Sequence, residues 1–181
     1  MNDPLTNNSQ GNQWDETTVS TTSCGFSGGT YHTQVSAQGA GTCNPEAPSL
    51  VLSNLTYEIS LKVTQGEFEG ITFRFNQSNL TGYGFLIDTQ LGSYILATAN
   101  GTSTPFSIIL NGLSPAIKTG LNQTNVLAVV ANGINISLYI NGQSIAQVNN
   151  SSYNQGQLGI FTIDNQSPAD VEASNARAWA L

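Results

Sequence analysis

The sequence predicts an all-β chain folded as an antiparallel β-sandwich, on three features. Runs of β-branched and aromatic residues recur at short intervals between Gly-, Asn- and Ser-rich turns. No helical period of apolar residues is sustained for three turns. Two Asn-Gly pairs, Asn132-Gly133 and Asn141-Gly142, separate NVLAVVA, INISLYI and QSIAQV. Asn-Gly between such runs is the strongest short-range hairpin signal, because both central residues of a type I′ turn need positive φ. At 181 residues the chain suits one domain, 1–181, with a sizeable core.

Residues 3–16 read as a short edge strand at Leu5, a polar loop and Trp14, an indole that is either a core anchor or a platform for stacking a sugar. Cys24 to Val35 gives two short strands around Gly28-Gly29, with Tyr31, Thr33 and Val35 on one face and His32 and Gln34 on the other. Ser36 to Pro48 reads as a loop that Cys43 would tie back. Leu55, Tyr57, Ile59, Leu61 and Val63 alternate with Thr56, Glu58, Ser60 and Lys62, the period of a half-buried strand.

Gln65-Gly66 turns the chain into Glu69 to Phe75, where Ile71, Phe73 and Phe75 are expected in the core. Matching aromatics on one face predicts Phe75 opposite Tyr83, Phe73 opposite Phe85 and Ile71 opposite Ile87. A turn around Gly92 then sets Ile87 opposite Tyr94 and Phe85 opposite Leu96. A strand over 104–111 follows, then a loop from Leu113 to Leu121 with one helical turn at Pro115-Ala116-Ile117.

In the meander, Ala131 and Ile134 flank the first Asn-Gly turn, which places Val129 opposite Ile136 and Leu127 opposite Leu138. A slip by one residue would expose those four aliphatics at roughly 1.5–3 kcal/mol each. The spacing of Ile145 and Val148 breaks the period of two and predicts a bulge near Ala146-Gln147. GQLGIF and then Ala169 to Leu181 supply the last strands, and strands at both termini can pair to seal the sandwich.

Composition narrows function by exclusion. Charged residues are only 8%, and eleven acids against Lys62, Arg74, Lys118 and Arg177 give a net charge of −7. No basic stripe is present to neutralise phosphates, so nucleic acid is not an expected partner, and anionic membrane is disfavoured for the same reason. The longest apolar run, Val126 to Ala131, is far short of the roughly 20 residues of a transmembrane helix, so no direct membrane insertion is expected. The opening MNDPLTNNS has no basic or apolar signal region; the chain reads as cytoplasmic or as a mature piece of a longer exported protein. A surface solubilised by hydroxyls and amides favours the extracellular or cell-surface alternative. So do Cys24 and Cys43, two cysteines in Gly/Ser/Thr-rich surroundings that are expected to form a disulfide worth about 3 kcal/mol.

The predicted register places Arg74 beside Gly84, Thr72 beside Leu86, Asp88 beside Ser93 and Ala97 across from Gly84, all on the open sheet face. An Arg over a Gly/Ala hollow could donate paired hydrogen bonds to a sugar or a carboxylate; the alternative is an exposed Arg–Asp ion pair of little energetic weight. Arg74, Thr72 and Asp88 are therefore the candidate ligand-binding residues, with Trp14 at the rim. His32, alone and without a nearby Asp and nucleophile, is expected to be a surface or hydrogen-bonded residue. There is no nucleophile elbow, phosphate loop, dinucleotide fingerprint or zinc-type cysteine pattern.

Several segments carry a family likeness: GITFRF, GYGFLIDTQLGSYIL, SPAIKTGLNQTNVLAVVANGINISLYINGQSIAQV, GQLGIF and the closing strand through Trp179. Over residues 50–181 they resemble the concanavalin A-like (laminin-G-like) jelly roll of lectin-like domains and of 3-keto-disaccharide hydrolase-like domains. The opening, DPLTNNSQGNQWDE with CGFSGGTYHTQV, is similar to surface and receptor-kinase-associated domains of Ktedonobacter-type bacteria. The resemblance implies a carbohydrate-binding or glycan-sensing module that is not an enzyme, whose partner is a carbohydrate or another protein. The fold class also hosts glycoside-processing hydrolases and adhesive domains.

A retaining glucanase of this type would carry Glu-x-Asp-x-x-Glu on one strand; here only Glu67-Phe68-Glu69 approaches it, with Asp88 and Glu58 on other strands. The resemblance further implies a structural Ca²⁺ near the paired termini, for which Asp3 and Asp170 are the candidate ligands.

Overall fold

A computed structural model describes residues 1–47, 50–101, 106–164 and 168–181. Among these, the strands in chain order are β1 Asn2–Asp3, β2 Thr18–Val19, β3 Thr22–Ser27, β4 Thr30–Val35, β5 Gly39–Cys43, β6 Leu55–Gln65, β7 Phe68–Asn76 and β8 Thr81–Asp88. There follow β9 Ser93–Asn100, β10 Phe106–Leu113, β11 Thr124–Asn132, β12 Asn135–Ile140, β13 Gln143–Asn149, β14 Gln157–Asp164 and β15 Ala169–Ala180. The start of the expected 104–111 strand, at 104 and 105, lies outside the described residues.

The strands form two antiparallel sheets. The larger runs β13-β12-β11-β6-β15-β4-β3-β2, with β1 on β15; the smaller runs β10-β9-β8-β7-β14-β5. Strand β6 shows why they stack. Leu55, Tyr57, Ile59, Leu61 and Val63 are fully buried, whereas Thr56, Glu58, Ser60 and Lys62 lie on the outer face, half-buried. They share one core with Ile71, Phe73, Tyr83, Phe85 and Leu96 of the smaller sheet. Each large aliphatic in such a layer is worth roughly 1.5–3 kcal/mol of removal from water. Among the described residues, no helix is long and apolar enough to cross a membrane.

The chain ends pair as expected. Asn2 lies beside Arg177, and the Met1 ammonium donates to the Ala178 carbonyl at 2.8 Å. The first strand is Asn2–Asp3 rather than a strand at Leu5, which is buried in a left-handed turn conformation. The 36–48 stretch also differs from expectation: Gly39–Cys43 is the edge strand β5, paired with β14. Its Cys43 bonds to Cys24 of β3, so the expected disulfide staples one sheet to the other. Pro115-Ala116-Ile117 forms a turn closed by an Ile117 N–H to Ser114 carbonyl bond at 3.2 Å, not a helical turn.

Faces are as predicted except at Arg74 and Phe75 of β7, and registers differ in two places. Between β8 and β9, Ile87 faces Tyr94 and Phe85 faces Leu96, as expected. In the first meander hairpin, Asn132 pairs with Asn135, so Val129 meets Leu138 and Leu127 meets Ile140, a shift of two residues that keeps the aliphatic face inward. The turn residues are then Gly133 and Ile134, with positive φ at Gly133 only. The side chain of Asn54 receives the Gly133 N–H at 2.9 Å. The second turn is as predicted, with Asn141 and Gly142 both at positive φ. The predicted bulge occurs at Ile145, one residue early, where it lets Ile145 reach the core.

The other shift is in β7–β8. Phe73 faces Tyr83 and Ile71 faces Phe85, because Arg74 and Phe75 together oppose only Gly82. Arg74 adopts φ +48, a bulge conformation ordinarily given to Gly or Asn. No pattern in side-chain polarity announces it.

Two stability outcomes follow. A Cβ at Gly133 would meet nothing within 4 Å, so Gly133→Val tests φ alone and should cost about 1–2 kcal/mol in urea denaturation. A change within about 0.5 kcal/mol, the ordinary surface range, would refute the turn. Replacing Cys24 and Cys43 together by Ser should cost about 3 kcal/mol and lower the melting temperature.

Candidate functional site

The outer face of the smaller sheet is a trough whose floor mixes small residues with larger apolar ones. One row across the strands is Gly159, Thr72, Gly84, Ala97 and Ile108; the next is Phe161, Gly70, Leu86, Ile95 and Asn111; a third holds Gly82, Ala99 and Phe106. The floor admits nothing larger at some points. A Cβ on Gly159 would stand 2.2 Å from the Asn44 amide nitrogen and 2.6 Å from the Thr72 hydroxyl.

At one end the bulge reshapes this face. Strict alternation places Phe75 in the core with Phe73, but the extra residue sends it to the trough instead. There Phe75, Phe106, Phe161 and Leu80, with Thr42 and Ala99, line a pocket of about 200 Å³. Phe106 and Phe161 meet edge to face at 5.7 Å, and Phe106 remains 43% exposed. Sequence reasoning missed this aromatic pocket; the available signal was Phe106 alternating with Ile108 on an edge strand, a pattern that leaves apolar side chains outside.

The predicted site residues do not assemble. Arg74 does not stand over Gly84; Thr72 does, and Arg74 is turned inward by its bulge and buried. Its Nε donates to the Ser53 carbonyl at 2.7 Å and its Nη1 to the Tyr153 carbonyl at 3.2 Å. Burial lowers its pKa, partly offset by Tyr83. Arg74 instead borders a separate cavity of about 300 Å³ between the β11–β12 turn and the 151–154 segment. Thr72 is buried in the floor, its hydroxyl without a hydrogen-bond partner among the described residues.

Asp88 lies four residues from Gly84, about 13 Å along β8. It is buried, and its Oδ1 accepts the Gln90 and Leu91 N–H groups at 2.8 and 2.9 Å, which forms the turn. Trp14 is a core anchor: it is buried, packs on Tyr31 at 5.1 Å and donates its indole N–H to Asp3 at 3.2 Å. That placement removes it as a stacking platform.

The acids are likewise dispersed. Glu69 points into the sandwich, fully buried, and takes a 3.1 Å bond from the Asn125 amide. Asn125 in turn holds Lys118 through both its backbone groups and accepts from Asn141, whose amide also donates to the Ala116 carbonyl. Burial pushes the Glu69 pKa up to about 8, the Asn125 bond opposing it. His32 bonds Asp170 at 3.0 Å on the outer face of the larger sheet, the surface role expected of it.

The calcium expectation does not fit these residues. Asp3 is already engaged by the Leu5 N–H, Asn12 and Trp14, and it lies beside Ala176, about 20 Å along β15 from Asp170. Among the described residues, no three His, Cys, Asp or Glu side chains are grouped to hold a metal.

No protein-family model and no curated protein sequence matches the chain. Solved structures do match it. The carbohydrate-binding module CBM66 from Bacillus subtilis is similar with a TM-score of 0.69 at 18% identity, over 82% of this chain and 86% of that one. A Bacillus licheniformis beta-glucanase gives 0.69 at 8% identity over 100% and 97%. The VIP36 exoplasmic/lumenal domain, in a Ca²⁺/Man3GlcNAc-bound form, gives 0.68 at 9% identity over 98% and 87%. The chain has the concanavalin A-like jelly-roll fold these structures share.

Glu69 generates a pH prediction. Between about 4.5 and 8 the folded chain keeps a proton that the unfolded chain has released, so stability falls as pH rises through that window. At about 1.4 kcal/mol per pKa unit, the loss is on the order of a few kcal/mol. Glu69→Gln should flatten the slope and be relatively more stable at pH 9 than at pH 5. Parallel urea curves for parent and variant across this range would refute the assignment.

Proposed function

We propose that the chain is a non-catalytic carbohydrate-binding module of an exported or cell-surface protein, taking a glycan at the aromatic end of the trough. The observation that carries this reading is the pocket of Phe75, Phe106 and Phe161 beside the small-residue row Thr72, Gly84 and Ala97. A sugar ring has an apolar C–H face that packs on an aromatic ring, while its hydroxyls reach Thr42 and water at the rim. The neighbouring folds support a glycan ligand, since they include a carbohydrate-binding module and a mannose-bound domain. The cross-sheet disulfide supports an oxidising location outside the cytoplasm.

The placement of acids favours binding over hydrolysis. Retaining glycosidases need two carboxyls about 5–5.5 Å apart across the scissile bond. Glu69 lies inside the sandwich, and Asp88 is committed to its turn. A second reading, an adhesive surface for another protein chain, is favoured by the exposed Phe106, Ile108 and Leu113 along edge strand β10.

A glycan array separates the readings. Phe106→Ala should weaken the best array hit about tenfold, or about 1.4 kcal/mol, and leave the melting temperature nearly unchanged because Phe106 is half exposed. A blank array with the parent protein would end the carbohydrate reading in favour of the adhesive one.

A further inference from the structure

We infer that the cavity floored by Arg74 is a binding site for a carboxylate-bearing ligand, a sugar acid, that enters between the β11–β12 turn and the 151–154 segment. The first observation is a buried cation with no counter-charge. Among the described residues, Lys62 pairs with Glu172 and Arg177 with Glu58, but no carboxylate stands within ion-pair distance of Arg74. Buried charges are ordinarily paired, and a guanidinium is not relieved by losing its proton. In a chain with eleven acids and four basic residues, a cavity that contains a buried Arg and no acid among its lining residues is a marked asymmetry.

The second observation is how firmly Arg74 is held there. Its backbone sits at φ +48, a conformation unfavourable for Arg, and Gly156 packs so closely against it that a Cβ would lie 2.3 Å from the Arg74 carbonyl carbon. The two carbonyl contacts at Ser53 and Tyr153 orient the guanidinium plane. A planar, oriented fork is the group best matched to a carboxylate. Around it, Asn54, Ser151 and Asn154 supply amides and a hydroxyl suited to sugar hydroxyls, and Ile134, half exposed, offers an apolar edge to the ring. The sugar part of this inference rests on the carbohydrate-binding reading; the carboxylate part does not.

The test uses the whole chain with D-glucuronate, D-glucose and acetate as probes, read by thermal shift and calorimetry. Glucuronate should raise the melting temperature saturably, by roughly 3–6 °C at ten times its Kd, with glucose inactive at the same concentration. Arg74→Ala could simply unfold the protein, so the decisive variant is Ser151→Asp, which places a carboxylate in the cavity from an exposed position. It should abolish the glucuronate response and leave Phe106-dependent glycan binding intact.

No response to glucuronate or acetate would overturn the inference, as would an equal response to glucose. A glucuronate response that survives Ser151→Asp and disappears in Phe106→Ala would move the ligand to the aromatic pocket and also overturn it. Acetate acting as strongly as glucuronate would keep the carboxylate site and remove the sugar. A blank neutral-glycan array beside a saturable glucuronate response would end the trough reading alone.

Discussion

Strand β6 lies at the centre of the larger sheet, between β11 and β15, and every second side chain along it is buried against the smaller sheet. The rest of the molecule is arranged around that alternation. Once Leu55, Tyr57, Ile59, Leu61 and Val63 point inward, the paired strands have no freedom of face. Leu127, Val129 and Ala131 on one side, and Val171 and Ala173 on the other, must also point in. The smaller sheet answers with aromatics as well as aliphatics, Phe73 stacked on Tyr83 at 5.0 Å, in the shared core.

The aromatic end of the trough and the Arg74 cavity take their shape from a break in the alternation of β7 at Arg74. One extra residue in β7 moves Phe75 from the core to the outer face and Arg74 from the outer face to the inner end of the sandwich. A comparable break in β15 uses Asn175 at φ +55 between Ser174 and Arg177, and there the residue suits the conformation. At Arg74 it does not. A backbone held against its preference, with a buried charge at its tip, costs free energy that the surrounding packing must offset. Tyr153 links the two resulting sites, its N–H bonding the Tyr83 hydroxyl and its own hydroxyl the Ala99 carbonyl that borders the aromatic pocket.

Polar atoms inside the sandwich are handled by amides rather than ion pairs. Asn125 and Asn141 bridge Glu69, Lys118 and Ala116, tying the segment after β10 to the second meander turn. An amide can donate and accept at once, so two of them satisfy the ends of several loops without burying a second charge. Glu69 is the one carboxyl that the network takes into the interior, and its raised pKa follows from that burial, with the Asn125 bond opposing it.

The sequence by itself determined the fold class, the inward faces of β6, β8, β9, β11 and β12, the second Asn-Gly turn and the Cys24–Cys43 pairing. These rest on local rules: period two, turn chemistry and the shortage of alternatives for two cysteines. Tertiary structure alone decided register and site. A shift of two residues keeps every apolar side chain on its face, so hydrophobic pattern cannot distinguish Val129 opposite Ile136 from Val129 opposite Leu138. The β7 bulge falls on an Arg, which carries no signal for positive φ, and its position is set by where Gly82 and Gly156 let other backbones approach. Because that one residue decides which of Arg74 and Phe75 faces out, the sequence could name Arg74 as chemically promising but could not place it. The aromatic pocket appears only in the folded sheet, where Phe106 of β10 meets Phe161 of β14 although β9, β8 and β7 lie between their strands in the sheet order.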